Sequence, residues 1–167
     1  YLHVRGAEHT ISHNVIRDIY EDSNNNLWIG TYNLLNKFDR ESKTFTRYNL
    51  LPSHVNKGKN NLVISIESYK ENGNEKLIIG TETGLVIFDI STTKFTYLNR
   101  SNTDNQISND VVKTVGIFDD KTIWFGTDYG LNKYNIEQKT TTSFFYQFSN
   151  ENSIRSEERR VAGEAAE

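Results

Sequence analysis

One pattern recurs three times and constrains the fold before anything else: an apolar triplet followed by Gly-Thr. It reads Leu27-Trp28-Ile29-Gly30-Thr31, then Leu77-Ile78-Ile79-Gly80-Thr81, then Ile123-Trp124-Phe125-Gly126-Thr127. The glycines lie 50 and then 46 positions apart. The agreement extends beyond the marker. A shift of 96 positions carries Ile11-Ser12 onto Ile107-Ser108, Val15 onto Val111, and Leu35-Asn36-Lys37 onto Leu131-Asn132-Lys133 without a gap. The middle copy is looser but keeps Val63, Ile64 and Ile66, the marker, and Gly84-Leu85-Val86-Ile87-Phe88-Asp89.

Within each copy, short apolar groups alternate with turn-forming residues. In the first copy, candidate strands run over 15–20, 27–31, 35–38 and 44–48, separated by Asp22-Ser23-Asn24-Asn25-Asn26 and Asp39-Arg40-Glu41-Ser42-Lys43. These are strand and hairpin-loop lengths, and no segment sustains a helical period for three turns. An antiparallel sandwich has similar strand spacing but no reason to repeat its sequence every four strands. Four strands per unit of about 40–50 residues is the signature of a propeller blade. A single small sheet cannot hide two apolar faces, so each blade must pack against like blades. Trp28 and Trp124 fall on second strands, where a large ring can fill the wedge between blades.

The expected fold is therefore all-β: a β-propeller fragment of about three four-stranded antiparallel blades, incomplete at both ends, since closure takes roughly four to eight blades. Residues 1–10 are expected to be the end of a preceding blade and a linker, with His3 in an outer strand. Blades follow at 11–48, 62–98 and 107–148, joined by an insertion at 49–61 and a linker at 99–106. Residues 149–154 parallel the linker before the third copy and should lead into another blade. Instead 155–167 turn abruptly charged; a charged helical cap is the alternative, but because the break falls in the middle of a repeat these residues are expected to be foreign to the fold.

Composition narrows the function. A net charge of −3 offers no basic face for nucleic acid. No apolar run approaches the roughly 18 residues that cross a bilayer, and no basic amphipathic run suggests membrane contact. Without cysteine there is neither a disulfide nor a Cys-based zinc site. His9 and His13 are four apart but sit in a linker and at a strand start, with no carboxylate cluster to make a metal site. His54 lies in the polar insertion. No phosphate-cradling Gly loop appears, and no carboxylate pair is placed for acid–base work. Asp22, Asp39 and Asp89 follow strands and suit turn capping. No catalytic residue, metal or cofactor is expected.

Asn14 to Asp22 followed by Asn26-Leu27-Trp28-Ile29-Gly30-Thr31 resembles the two-component regulator propeller repeat. So do Thr127 to Asn135 and the linker Asn105 to Val111. The resemblance extends over nearly all of residues 1–154. Leu34 departs from it, where the other copies carry Gly84 and Gly130, as does Ile78 in the place of the tryptophan. The resemblance implies the periplasmic sensor region of a hybrid two-component system from Bacteroidetes-type bacteria, with a histidine kinase elsewhere in the protein. It implies an oligosaccharide ligand, the remaining blades of the same propeller as partners, and a second copy through the full-length protein. A propeller enzyme acting on polysaccharide and a non-signalling scaffold or secretion accessory protein are the alternatives.

In an antiparallel meander, the loop between the second and third strands lies at the same end as the linker between blades. In propellers that end commonly carries the ligand. It should present Tyr32 and Asn33, Glu82 and Thr83, and Asp128 and Tyr129, beside Asn102 and Asp104 of the linker. Aromatic rings with nearby amides and carboxylates suit the C–H faces and hydroxyls of sugars.

Overall fold

A computed structural model describes residues 1–51, 61–101 and 105–146. Among these, the chain forms twelve strands and no helix. They are β1 (Ile16–Glu21), β2 (Leu27–Thr31), β3 (Leu35–Phe38) and β4 (Phe45–Tyr48); β5 (Val63–Glu71), β6 (Asn74–Thr81), β7 (Leu85–Asp89) and β8 (Phe95–Leu98); β9 (Val112–Asp119), β10 (Thr122–Thr127), β11 (Gly130–Asn135) and β12 (Thr140–Phe144). Each set of four makes one antiparallel sheet in chain order. The three sheets do not close into a ring; they are propeller blades, as the repeat predicted. Residues 1–15 contain no strand, so the outer-strand placing of His3 is not found. His3 instead sets its Nδ1 2.8 Å from the Ile11 carbonyl. The positions of His54 and of residues 147–167, the charged tail among them, lie outside the described residues.

The repeat marker explains how blades stack. β1 packs against β5, and β5 against β9, so the first strands are neighbours. Gly30 faces Val63 of the next blade: a Cβ at Gly30 would stand 2.5 Å from Val63 Cγ1. Gly80 faces Val112 in the same way, with the valine carbonyl oxygen and Cγ1 each 3.0 Å from a Cβ there. Gly30 and Gly80 are thus each the socket for a β-branched residue that opens the following blade. At Gly126 a Cβ would meet only the Cγ2 of Thr114 in its own sheet.

Two cores fill the seams. Trp28, Leu35, Val63, Ile66, Leu77, Ile79, Val86 and Phe88 join blades one and two; Ile78, Ile87, Val112, Val115, Ile123, Phe125 and Tyr134 join blades two and three. Trp28, 1% exposed, sits in the wedge with Tyr48 and Phe88 at ring distances of 5.5 and 5.7 Å. Trp124 is only half-buried and stacks on Phe144 of its own blade. A third apolar group, Ile11, Ile29 and Phe45, lies on the opposite face of blade one.

Polar ties supplement the seams. Asp18 accepts the Ile66 N–H at 2.7 Å, the Tyr20 and Ser68 hydroxyls pair at 2.7 Å, and Glu71 of β5 takes both Lys76 and Lys139, the latter from blade three. The hairpin loops are built as the sequence suggested. Asp22, Asp39 and Asp89 each accept backbone N–H groups two to four residues ahead. Burial works against the Asp22 carboxylate, but bonds from the Trp28 indole, Asn26 and Asn24 outweigh it and hold its pKa below the usual aspartate range.

Candidate ligand face

The threonine of the marker builds each β2–β3 type turn from inside. Thr31 Oγ1 accepts the Asn33 N–H at 3.0 Å and lies 2.6 Å from the Asn33 carbonyl. Thr81 Oγ1 accepts the N–H groups of Thr83 and Gly84 and donates to the Gly84 carbonyl at 2.7 Å. Thr127 Oγ1 accepts the Tyr129 N–H at 3.2 Å and donates to the Gly130 carbonyl at 3.0 Å. The threonine hydroxyl thus takes over part of the turn's backbone hydrogen bonding, so the side chains between threonine and glycine need not do so, although in blade two Thr83 is itself buried against Thr81. In the first turn Leu34 replaces the glycine and still adopts a left-handed φ of 76°. Its N–H donates to Asn61, the linker residue before blade two, at 2.8 Å.

A second device fixes the linker to the turn. Ser12 donates its N–H to Asn36 Oδ1 at 2.9 Å, accepts the Asn36 amide at 2.8 Å, and pairs its hydroxyl with Thr31 at 2.9 Å. Ser108, Asn132 and Thr127 repeat this at 2.9, 2.7 and 2.8 Å. Blade two has no such latch: Leu62 and Val86 occupy the serine and asparagine positions, both buried. The latch was missed in the sequence reading, although the coincidence of Ser12 with Ser108 and Asn36 with Asn132 at one shift was its visible signal.

The candidate residues then fall as follows. Tyr32 is 43% exposed and donates its N–H to Val15 at 3.0 Å, and its ring lies 5.7 Å from that of His13. Asp128 donates to Val111 in the same manner at 3.1 Å, and its exposed carboxylate pairs with Lys113 at 3.2 Å. Tyr129 is 66% exposed, with its ring 5.6 Å from Phe145. Asn33 is exposed and Glu82 half-buried. Thr83 is buried: its hydroxyl turns inward to within 3.2 Å of Thr81, and its carbonyl accepts the Tyr97 phenol. Asn102 and Asp104 lie outside the described residues. His13, Lys113 and Phe145 join this end without having been singled out as ligand residues. In the sequence His13 stands at a strand start with no carboxylate cluster to make a metal site, and its spacing gives no sign of a ring facing a tyrosine 19 positions on.

The arrangement offers two aromatic pairs with exposed tyrosine rings, the Asp128–Lys113 ion pair and the exposed Asn33 amide, spread over blades one and three. Among the described residues no three His, Cys, Asp or Glu gather as metal ligands. A cleft of about 470 Å³ opens at the other end of blade one, among Asn24, Asn26, Asp39, Arg40 and Tyr48.

Comparison with known proteins bears on this fold. Residues 10–33 match the two-component regulator propeller model. No curated protein matches the chain. Among solved structures, the chain resembles the extracellular domain described as that of hybrid two-component system BT3049 of B. thetaiotaomicron, with a TM-score of 0.71 and 24% identity over 87% of this chain and 20% of that one. It also resembles the extracellular domain of BT4673 of the same organism. That domain is described in one structure as part of a hybrid two-component system, with a TM-score of 0.64 and 21% identity over 92% of this chain and 23% of that one. In another it is described as part of a one-component system, with a TM-score of 0.65 and 22% identity over 85% and 20%. The chain therefore spans about a fifth of the length of these structures. The stretch that matches the two-component regulator propeller model, residues 10–33, thus lies within the first of three blades of the β-propeller fold.

Proposed function

We propose that this chain is part of the extracytoplasmic, periplasmic sensing propeller of a hybrid two-component system, that its ligand is an oligosaccharide, and that binding signals to a histidine kinase elsewhere in the protein. The observation that carries this reading is the regulator propeller repeat at residues 10–33, supported by the likeness of all three blades to extracellular domains of that description. The chemistry of the β2–β3 end agrees with a sugar ligand. Tyr32 and Tyr129 expose ring faces for C–H packing, while Asn33, Glu82 and the Asp128–Lys113 pair supply donors and acceptors for hydroxyls. In this reading the blades bind and do not turn the glycan over.

The test is calorimetric titration of the complete extracytoplasmic region with a panel of oligosaccharides of differing linkage. One member is expected to bind, and Tyr129→Ala and Tyr32→Ala are each expected to weaken it about tenfold, the usual scale for losing an aromatic anchor. Binding by no member, or binding indifferent to both substitutions, would overturn the ligand assignment. Release of shorter sugars during the titration would make the region an enzyme instead.

A further inference from the structure

The β5–β6 hairpin carries the sequence's sole Asn-Gly pair, Asn72-Gly73. The ladder pairs Glu71 with Asn74, so Asn72 and Gly73 form the whole two-residue loop. Both have positive φ, 51° and 80°, which is the primed turn that twisted hairpins favour. Both are exposed, and nothing lies within 4 Å of where a Gly73 Cβ would stand. Unlike Asn26, whose amide is held by the Asp22 carboxylate at 2.8 and 3.0 Å, the Asn72 side chain has no hydrogen bond among the described residues. A free amide therefore stands next to a main-chain nitrogen that no side chain shields.

We propose that Asn72-Gly73 is a site of spontaneous covalent modification. The Gly73 nitrogen, on losing its proton, attacks Asn72 Cγ. A Cγ–N bond forms, the Cγ–Nδ2 bond breaks, and Nδ2 leaves as ammonia, which closes a succinimide. Water then opens the ring at either carbonyl. Breaking the new Cγ–N bond gives aspartate; breaking the original peptide bond gives isoaspartate, with the side-chain methylene now inside the main chain. No oxidant or enzyme is needed.

The location gives the product a structural consequence. Glu71, the neighbouring residue, holds Lys76 and reaches Lys139 of blade three. A lengthened main chain at 72 cannot keep the two-residue turn in register, and its new carboxylate competes for the same lysines. The modification loosens the tie between the second and third blades at the hairpin end, far from the β2–β3 turns.

The test holds the folded protein in neutral and in alkaline buffer and follows every asparagine by peptide mass mapping, with isoaspartate scored by its methyl-acceptor reaction. Asn72 is expected to exchange amide for acid several times faster than any other asparagine, faster in the alkaline buffer, with isoaspartate exceeding aspartate. An Asn72→Gly variant, which keeps a turn-compatible residue, should show no conversion in this hairpin. Conversion of Asn72 no faster than that of Asn25 or Asn26, or conversion only once the chain is denatured, would overturn the proposal.

Discussion

At Gly30 the absence of a side chain is a packing requirement of the neighbouring blade. A methyl there would stand 2.5 Å from Val63 Cγ1 and 3.3 Å from Ile66 Cδ1, both in a seam with no space to yield. Gly30→Ala is expected to destabilise the propeller by about 1–3 kcal/mol, the usual cost of overpacking a filled core. Truncating the other partner makes room, so Val63→Ala introduced with it should recover part of the loss in a double-mutant cycle. Urea denaturation of both single variants and the pair measures this; strict additivity would show that the glycine is retained for some reason other than the socket. The same contact explains why the marker was readable in sequence. A glycine after three apolar residues, repeated at two intervals, is a demand made by every following blade. Leu34 shows the limit of such reading. The other two copies spend a glycine at this turn, yet the leucine takes a left-handed φ because its N–H reaches the carbonyl of Asn61, a partner that residue spacing does not announce.

Among the elements, the linker latch separates blades one and three from blade two. Ser12 and Asn36 are 4% and 0% exposed and satisfy one another; Leu62 and Val86 meet the same need by having no polar group to satisfy. Removing one partner leaves the other buried and unpaired, whereas exchanging both for apolar groups is close to neutral. Asn36→Val alone is therefore expected to cost about 1–3 kcal/mol, and Asn36→Val with Ser12→Leu to recover most of it, as blade two does naturally. Thermal melts of the three variants test this, and a double variant no better than Asn36→Val would mean that the latch does more than satisfy itself. Strand order and hairpin positions were legible because each rests on local patterning: alternation, Asp-led turns, the Gly-Thr marker. The latch and the His13–Tyr32 contact were not, because they join residues 24 and 19 positions apart, brought together only when the linker folds back on the β2–β3 turn. Thr83 was misplaced for a related reason. Position within a turn does not reveal which way a short side chain rotates, and a neighbouring hydroxyl and phenol drew this segment inward.

For the molecule as a stack of blades, the seams decide stability, since each unit touches only its neighbours. The seam between blades two and three ends in one carboxylate with two lysines. Hydrogen bonds from Lys139 and then Lys76 hold the Glu71 pKa below the usual glutamate range, against a smaller opposing effect of burial. A carboxyl whose pKa is depressed by folding binds its proton later in the folded chain than in the unfolded one. Its stabilisation is thus present above the unfolded value, about 4.3, and is lost as pH falls through the lower folded one. Glu67, in the same strand, has the opposite sign: burial, and then the Asp18 charge, raise its pKa, so its contribution favours lower pH. Comparing wild type with Glu71→Gln cancels the Glu67 effect and isolates the tie. The wild type is expected to be the more stable at neutral pH, and the gap in denaturation midpoint to shrink as pH falls below the unfolded value and to close once pH has passed below the folded one. A gap that stays constant across that range would mean that the two lysines hold Glu71 by position alone, and that charge contributes nothing to joining the blades.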